Sequence, residues 1–194
     1  MTNDKMQRKR DSAMDFDKLL RPKLEAQMKA RIFPVDMLQE AELVKLLDQK
    51  GVDAFYMDKD GDPLGLASRF QYSEFARERP SFTFRYGLWD EVRQQFNRMN
   101  AEYQRKLRCI KDSKQGKFFP VWNVESWKDK KTDLVEWSYM AKTRDLMLYI
   151  ERYLPHGDRK RVYIFEPKTG EKREVVVVNV AAFKQECEVV EVKS

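Results

Sequence analysis

The sequence predicts an α+β fold: a single domain with a mixed or antiparallel sheet of about five to seven strands and a long amphipathic helix. Three observations carry this. Leu88, Val92, Phe96, Met99, Tyr103, Leu107 and Ile110 step by fours and threes, the stripe of one long helix. Strand-forming segments flank turn chemistry at Asp58–Pro63 and Pro167–Gly170 and read as hairpins. The element order lacks the regular strand–helix alternation of a doubly wound sheet.

The elements follow in order. Residues 1–12 are polar and basic and read as an arm, continued by a helix over 13–31 with Met14, Leu19, Leu20, Leu24 and Met28 as apolar positions. Pro22 predicts a break or a helix start. Phe33-Pro34 is a boundary. Val35–Gln49 repeats apolar residues at helical spacing and stops at Gly51. Strands are expected at Val52–Met57, Leu64–Tyr72 and Ser81–Tyr86, with a polar link over 73–80. The helix over 88–110 leads into a basic loop, Lys111–Lys117. Phe118–Trp127 and Leu134–Lys142 read as strands. Thr143 caps a helix, Arg144–Leu154, that Pro155 stops. Val162–Phe165 and Glu174–Val180 form the second hairpin, and the tail from Phe183 adds a short strand. The expected organisation is a basic helical arm, 1–31, and one domain, 32–194, with its core at 35–154 and a C-terminal hairpin at 160–182.

Composition narrows the function. The chain has 194 residues, 42% of them hydrophobic and 36% charged, enough to bury a core. No apolar run approaches the ~20 residues of a membrane span. The N-terminal MTNDKMQRKRDS lacks the apolar segment of a signal peptide. Cys109 and Cys187 cannot make a disulfide framework or a four-thiolate zinc site. His156 is the sole histidine and follows Pro155 in a loop, so it reads as a surface residue. The expectation is a soluble, cytoplasmic protein.

Charge is unevenly spread. The net charge is +6, which suits a nucleic-acid or acidic-protein partner. Arg93–Lys117 carries eight basic residues, among them Arg93, Arg98, Arg105 and Lys106, against Glu102 and Asp112. Glu40–Asp62 reverses this, with seven acids against three lysines. A basic surface for phosphates beside acids for a cation is the layout of a metal-dependent nuclease. Asp58-x-Asp60-x-Asp62 begins like a calcium loop, but Pro63 and Arg69 stand where such a loop needs Gly and Glu, so a hairpin turn is expected.

Asp53 stands inside an apolar strand, Gly51-Val52-Asp53-Ala54-Phe55, behind a helix that carries Glu42. An acid there is costly unless it is paired or metal-bound. Glu42 and Asp53 in this order resemble the PD-(D/E)XK nuclease superfamily, of the resolvase and Mrr type, over roughly residues 35–87. The resemblance implies a divalent cation, usually magnesium, held by Glu42 and Asp53, and a magnesium-dependent endonuclease or resolvase acting on DNA. The next strand departs from the family. Leu66-Ala67-Ser68-Arg69-Phe70-Gln71 has no E-x-K; Arg69 and Gln71 share one face instead. Arg is no usable base and Gln is a neutral ligand, so a degenerate core that only binds is equally implied. The structural alternative for Asp53 is an ion pair with Arg69 or Arg85.

Lys142 ends a strand and is expected at the surface. Trp122, Trp127, Trp137, Tyr139, Phe82 and Phe84 alternate on strands and are expected in the core rather than as base-stacking groups. Arg93, Arg98, Arg105 and Lys106 are the expected phosphate contacts. The functional expectation is a DNA-binding or DNA-cleaving protein. The alternative is a non-catalytic, protein-binding inhibitor or accessory factor of phage or mobile-element origin. A third reading is a domain of a larger assembly that pairs through the edge of its Val-rich hairpin.

Overall fold

The computed structural model describes residues 14–99, 101–111, 119–165 and 173–193, with backbone alone at 48–50. The arm 1–12, the basic loop beyond Lys111 and the Pro167–Gly170 turn lie outside these residues. The fold is α+β, with two sheets where the sequence predicts one. Among the described residues no helix is long and apolar enough to cross a membrane.

The chain divides into two compact units. Unit 1 comprises residues 1–77, 116–140 and 190–194, and unit 2 comprises 78–115 and 141–189. In unit 1 a π-helical turn, Phe16–Leu20, runs into α1 (Arg21–Met28). There follow β1 (Ile32–Pro34), α2 (Ala41–Lys50), β2 (Ala54–Met57), β3 (Pro63–Gln71) and α3 (Glu74–Glu78). After the chain has passed through part of unit 2 come β6 (Pro120–Lys128) and β7 (Val135–Lys142), and at the end β10 (Val190–Glu191). These strands make a sheet in the order β1-β2-β3-β6-β7-β10. β3 and β6 are parallel, while β2 on β3 and β10 on β7 are antiparallel, so the sheet is mixed.

One face of this sheet carries Ala54, Leu66, Phe70, Val124 and Met140, which pack with Phe16, Leu20 and Leu24. The described part of the predicted arm is therefore core, because its apolar positions cover the sheet. Pro22 sits in the first turn of α1, as its missing N–H favours. The predicted helix 35–49 begins late. Val35–Met37 is a 3₁₀ turn and Leu38 is extended, so the α-helix starts at Ala41. Gly51, at φ 68°, lets the chain leave that helix. Val35, Leu47 and Val52 then close a small core of their own.

In unit 2, β4 (Ser81–Asp90), β5 (Gln95–Asn97), α4 (Glu102–Lys111), α5 (Thr143–Tyr153), β8 (Val162–Phe165), β9 (Arg173–Asn179) and α6 (Val180–Phe183) follow one another. The sheet order is β5-β4-β9-β8, and β5 on β4, β4 on β9 and β9 on β8 are all antiparallel. Phe82, Phe183 and Tyr149 meet edge-on in its core. The predicted hairpin forms, with Val162 opposite Val178 and Phe165 opposite Val175. The Val-rich strand β9 is interior, paired on both sides, so Val175–Val178 is covered within its own sheet, and the hairpin's other strand, β8, is the one at the edge.

The helix predicted over 88–110 is the main correction. Only Glu102–Lys111 is helical. Leu88 and Trp89 belong to β4, and Phe96 packs on Trp89 from β5. Asp90 causes the break. Its Oδ1 accepts the Val92 and Arg93 amides, and Gln94 turns left-handed at φ 50°. A local side-chain turn of this kind competes with helix formation.

The loop after β6 carries a charge network. Lys128, nearly buried, meets Asp15 and Asp133. Asp129 is held below its ordinary 3.8 by the Lys131 and Thr132 amides. Asp133 is lowered by the Lys128 ammonium. Both folded values are depressed, so this stabilisation is complete above the ordinary range and is lost as pH falls through the folded values. The protection of the Lys131 and Thr132 amides, taken relative to their intrinsic exchange rate at each pH, is expected to fall in acid, and Asp129→Asn is expected to abolish that step.

Candidate functional site

Asp53 immediately precedes β2, where the backbone first meets β3. Its amide donates to the Leu66 carbonyl at 2.8 Å, and its carbonyl accepts the Val35 amide at 3.0 Å. Its carboxylate Oδ2 accepts the Ser68 amide at 2.6 Å. Asp53 is exposed, so the burial cost expected for it does not arise; the side chain instead ties the β2–β3 junction.

Arg69 and Gln71 share the face of β3 opposite the Leu66–Phe70 core, as their alternation predicts. Arg69 is opposite Glu125 across the parallel β3–β6 ladder. The Gln71 amide donates to Glu125 Oε1 at 2.8 Å. Glu125 is 3% exposed. This acid was missed by the sequence reading. The signal was present: Glu125 interrupts an apolar strand just as Asp53 does. Glu174 in the Val-rich β9 has the same signature and is also buried.

Glu42 lies exposed in the first turn of α2. Among the described residues it makes no hydrogen bond or ion pair, and no group of three or more His, Cys, Asp or Glu is gathered to hold a metal. Asp58 is a turn residue, as predicted, with Oδ1 accepting the Asp60 and Asp62 amides.

No family model, curated protein or solved structure matches this chain. The site is therefore read from its own geometry.

The predicted phosphate contacts separate into two pairs. Arg93 is 70% exposed and only loosely beside Asp90, at 3.9 Å. Arg105 is exposed on α4. Arg98 instead grips buried Glu174 with two hydrogen bonds of 2.7 and 2.6 Å. Lys106 is 3% exposed, bonded to Glu102 at 3.0 Å and set over the Phe84 ring. Sequence spacing placed Lys106 on the polar side of a longer helix. In the shorter helix it lies inward, so it is corrected from a phosphate contact to a core cation.

Lys142 is exposed and pairs with Glu188 at 3.2 Å. His156 ends a short 3₁₀ turn and is exposed, as expected. Trp127, Trp137, Phe82 and Phe84 are buried, and Trp122 and Tyr139 are half-buried, in agreement with the core expectation.

The net charge has a clear location. Unit 1 contains 19 Lys and Arg and 19 Asp and Glu. Unit 2 contains 19 Lys and Arg against 13 Asp and Glu. The whole excess of positive charge thus belongs to unit 2. Exposed Arg85, Arg93, Arg105, Arg108, Arg144 and Lys160 are among its carriers.

Proposed function

We propose that this protein binds nucleic acid, with unit 2 supplying the phosphate contacts. The observation that carries the reading is the charge partition. A net +6 on one unit and none on the other is a localised field that attracts a polyanion. Arg93 and Arg105 are the contacts retained from the sequence reading. Lys106 is left out because it is buried, and Arg98 because its guanidinium grips buried Glu174 through two hydrogen bonds, whereas Arg93 and Arg105 are exposed.

The reading is for binding. Cleavage with magnesium at Asp53 and Glu42, on a PD-(D/E)XK-like core in unit 1, is an extension that the same experiment decides. A labelled duplex and a labelled single strand are titrated by fluorescence anisotropy over a salt series. Log affinity is expected to fall linearly with log salt, by about 0.9 per phosphate contact. Arg93→Gln with Arg105→Gln should flatten that slope by about two and weaken all sequences alike. Binding that ignores salt, or no binding at all, overturns the proposal and favours a protein partner. Product formed in magnesium by the wild type, and lost in Asp53→Ala, extends it to a nuclease.

A further inference from the structure

Three donor groups of unit 2 converge on one carboxylate. The Tyr153 hydroxyl lies 2.8 Å from both oxygens of Glu186. Arg161 bonds the same group, and Arg152 stands at 3.4 Å. The Tyr149 hydroxyl supports Arg161 from behind at 3.4 Å. The Arg161 guanidinium also lies 4.6 Å over the Tyr153 ring. Tyr149, Arg152 and Tyr153 come from the last turns of α5, Arg161 from the loop after it, and Glu186 from the turn after α6. Hydrogen bonding by Tyr153, and then by Arg161, pulls the Glu186 carboxyl below its ordinary range.

Three features separate this cluster from a plain surface ion pair. A hydroxyl and two guanidinium groups meet on one carboxylate, and a phosphate, with three or more acceptor oxygens, takes the same three donors. The cluster faces solvent, with Arg152 69% exposed, so exchanging the occupant uncovers no core. Arg161 has a second carboxylate, Asp158, on its Nε at 3.1 Å. That contact keeps the guanidinium aimed when Glu186 leaves. Arg159 and Lys160 flank it in the loop, both exposed.

We propose that Arg152, Tyr153 and Arg161, the last positioned from behind by Tyr149, form a phosphate-binding cradle, which Glu186 occupies in the free protein. The occupant it is built for is a backbone phosphate of the bound strand, so the proposal rests on the nucleic-acid reading. Glu186 acts as an internal competitor: a strand that enters must displace it, which needs a turn of one side chain.

The test compares the wild type with Glu186→Gln, which keeps the shape and removes the charge. Anisotropy with a labelled single strand should show about tenfold tighter binding, and the salt slope should steepen by about one phosphate contact. Glu188→Gln, which changes net charge equally but lies on Lys142, should gain far less. Arg161→Gln placed in the Glu186→Gln chain should erase the gain. An equal gain from Glu188→Gln, or a gain that survives Arg161→Gln, overturns the cradle. If no variant binds nucleic acid, the function reading fails by itself and pyrophosphate decides the cradle. Pyrophosphate should then raise the melting temperature of Glu186→Gln, and not that of the double variant. No such rise overturns the proposal. Far-ultraviolet circular dichroism confirms that each variant folds.

Discussion

Trp127→Ala is expected to cost about 3–5 kcal/mol of stability, read as a lower urea midpoint. Trp127 is 1% exposed in β6 and packs with Ala76 and Trp137. Its Nε1–H donates to the Ser73 carbonyl at 2.8 Å, and the Arg77 guanidinium lies 5.1 Å over its ring. Alanine empties a site the size of an indole and leaves the Ser73 carbonyl without this donor. The cost is large because total stabilities are only about 5–15 kcal/mol. Trp127→Phe separates the terms. It keeps an aromatic ring under Arg77 and loses the hydrogen bond, so a cost of about 1–2 kcal/mol is expected. An alanine variant as stable as the wild type would mean that this cluster does not hold α3 on the sheet.

The second large effect is expected at Gly87, where β4 shifts register against β9. A Cβ there would stand 2.6 Å from Glu174 Oε2 and 3.3 Å from both Phe96 Cβ and Arg98 Cγ. Gly87→Ala must therefore push Glu174 off Arg98, for about 1–3 kcal/mol. Arg98→Ala removes the same contact from the other side and leaves a buried carboxylate without its guanidinium, also at about 1–3 kcal/mol. Half of the Arg98 side chain is open to water, which holds this toward the lower end. Because both changes break one interaction, the double variant should fall short of their sum by about 0.5–3 kcal/mol. Full additivity in denaturant melts would show that Gly87 acts on something other than the Arg98–Glu174 pair.

These two sites show what kind of information local sequence carries. Hydrophobic alternation placed β4 at Ser81–Tyr86, because a strand that buries one face writes that face into every second residue, and aromatic and Val-rich composition placed β7 and β9. Turn chemistry placed the Asp58–Asp62 hairpin, because an Asx turn is made by its own neighbours. The stripe over 88–110 failed for a related reason. Leu88, Phe96 and the rest recur at helical spacing, yet Asp90 and Gln94 form a turn that period counting does not see. Arg98 is consequently expected to contact phosphate from the basic face of that helix, although Glu174, 76 residues away, binds it.

At the candidate site, the sequence picked out Asp53 as an anomaly but not its partner. The Ser68 amide is 15 residues distant, and only the β2–β3 register brings it to the carboxylate. The Gln71–Glu125 contact spans 54 residues and exists because β3 and β6 run parallel. The Glu186 cluster left no mark at all, since Tyr149, Tyr153 and Arg161 look like ordinary surface residues until α6 returns the chain to them.

By itself the sequence determined the fold class, most strand positions, the aromatic core and the size of the charge. Each of these depends on residue type and near-neighbour spacing. Tertiary structure alone decided that there are two sheets, that the positive excess lies on one unit, and which cations are already spent on carboxylates. Those outcomes depend on strand order and register, which pair residues tens of positions apart and are set by burial of the whole chain rather than by any segment of it.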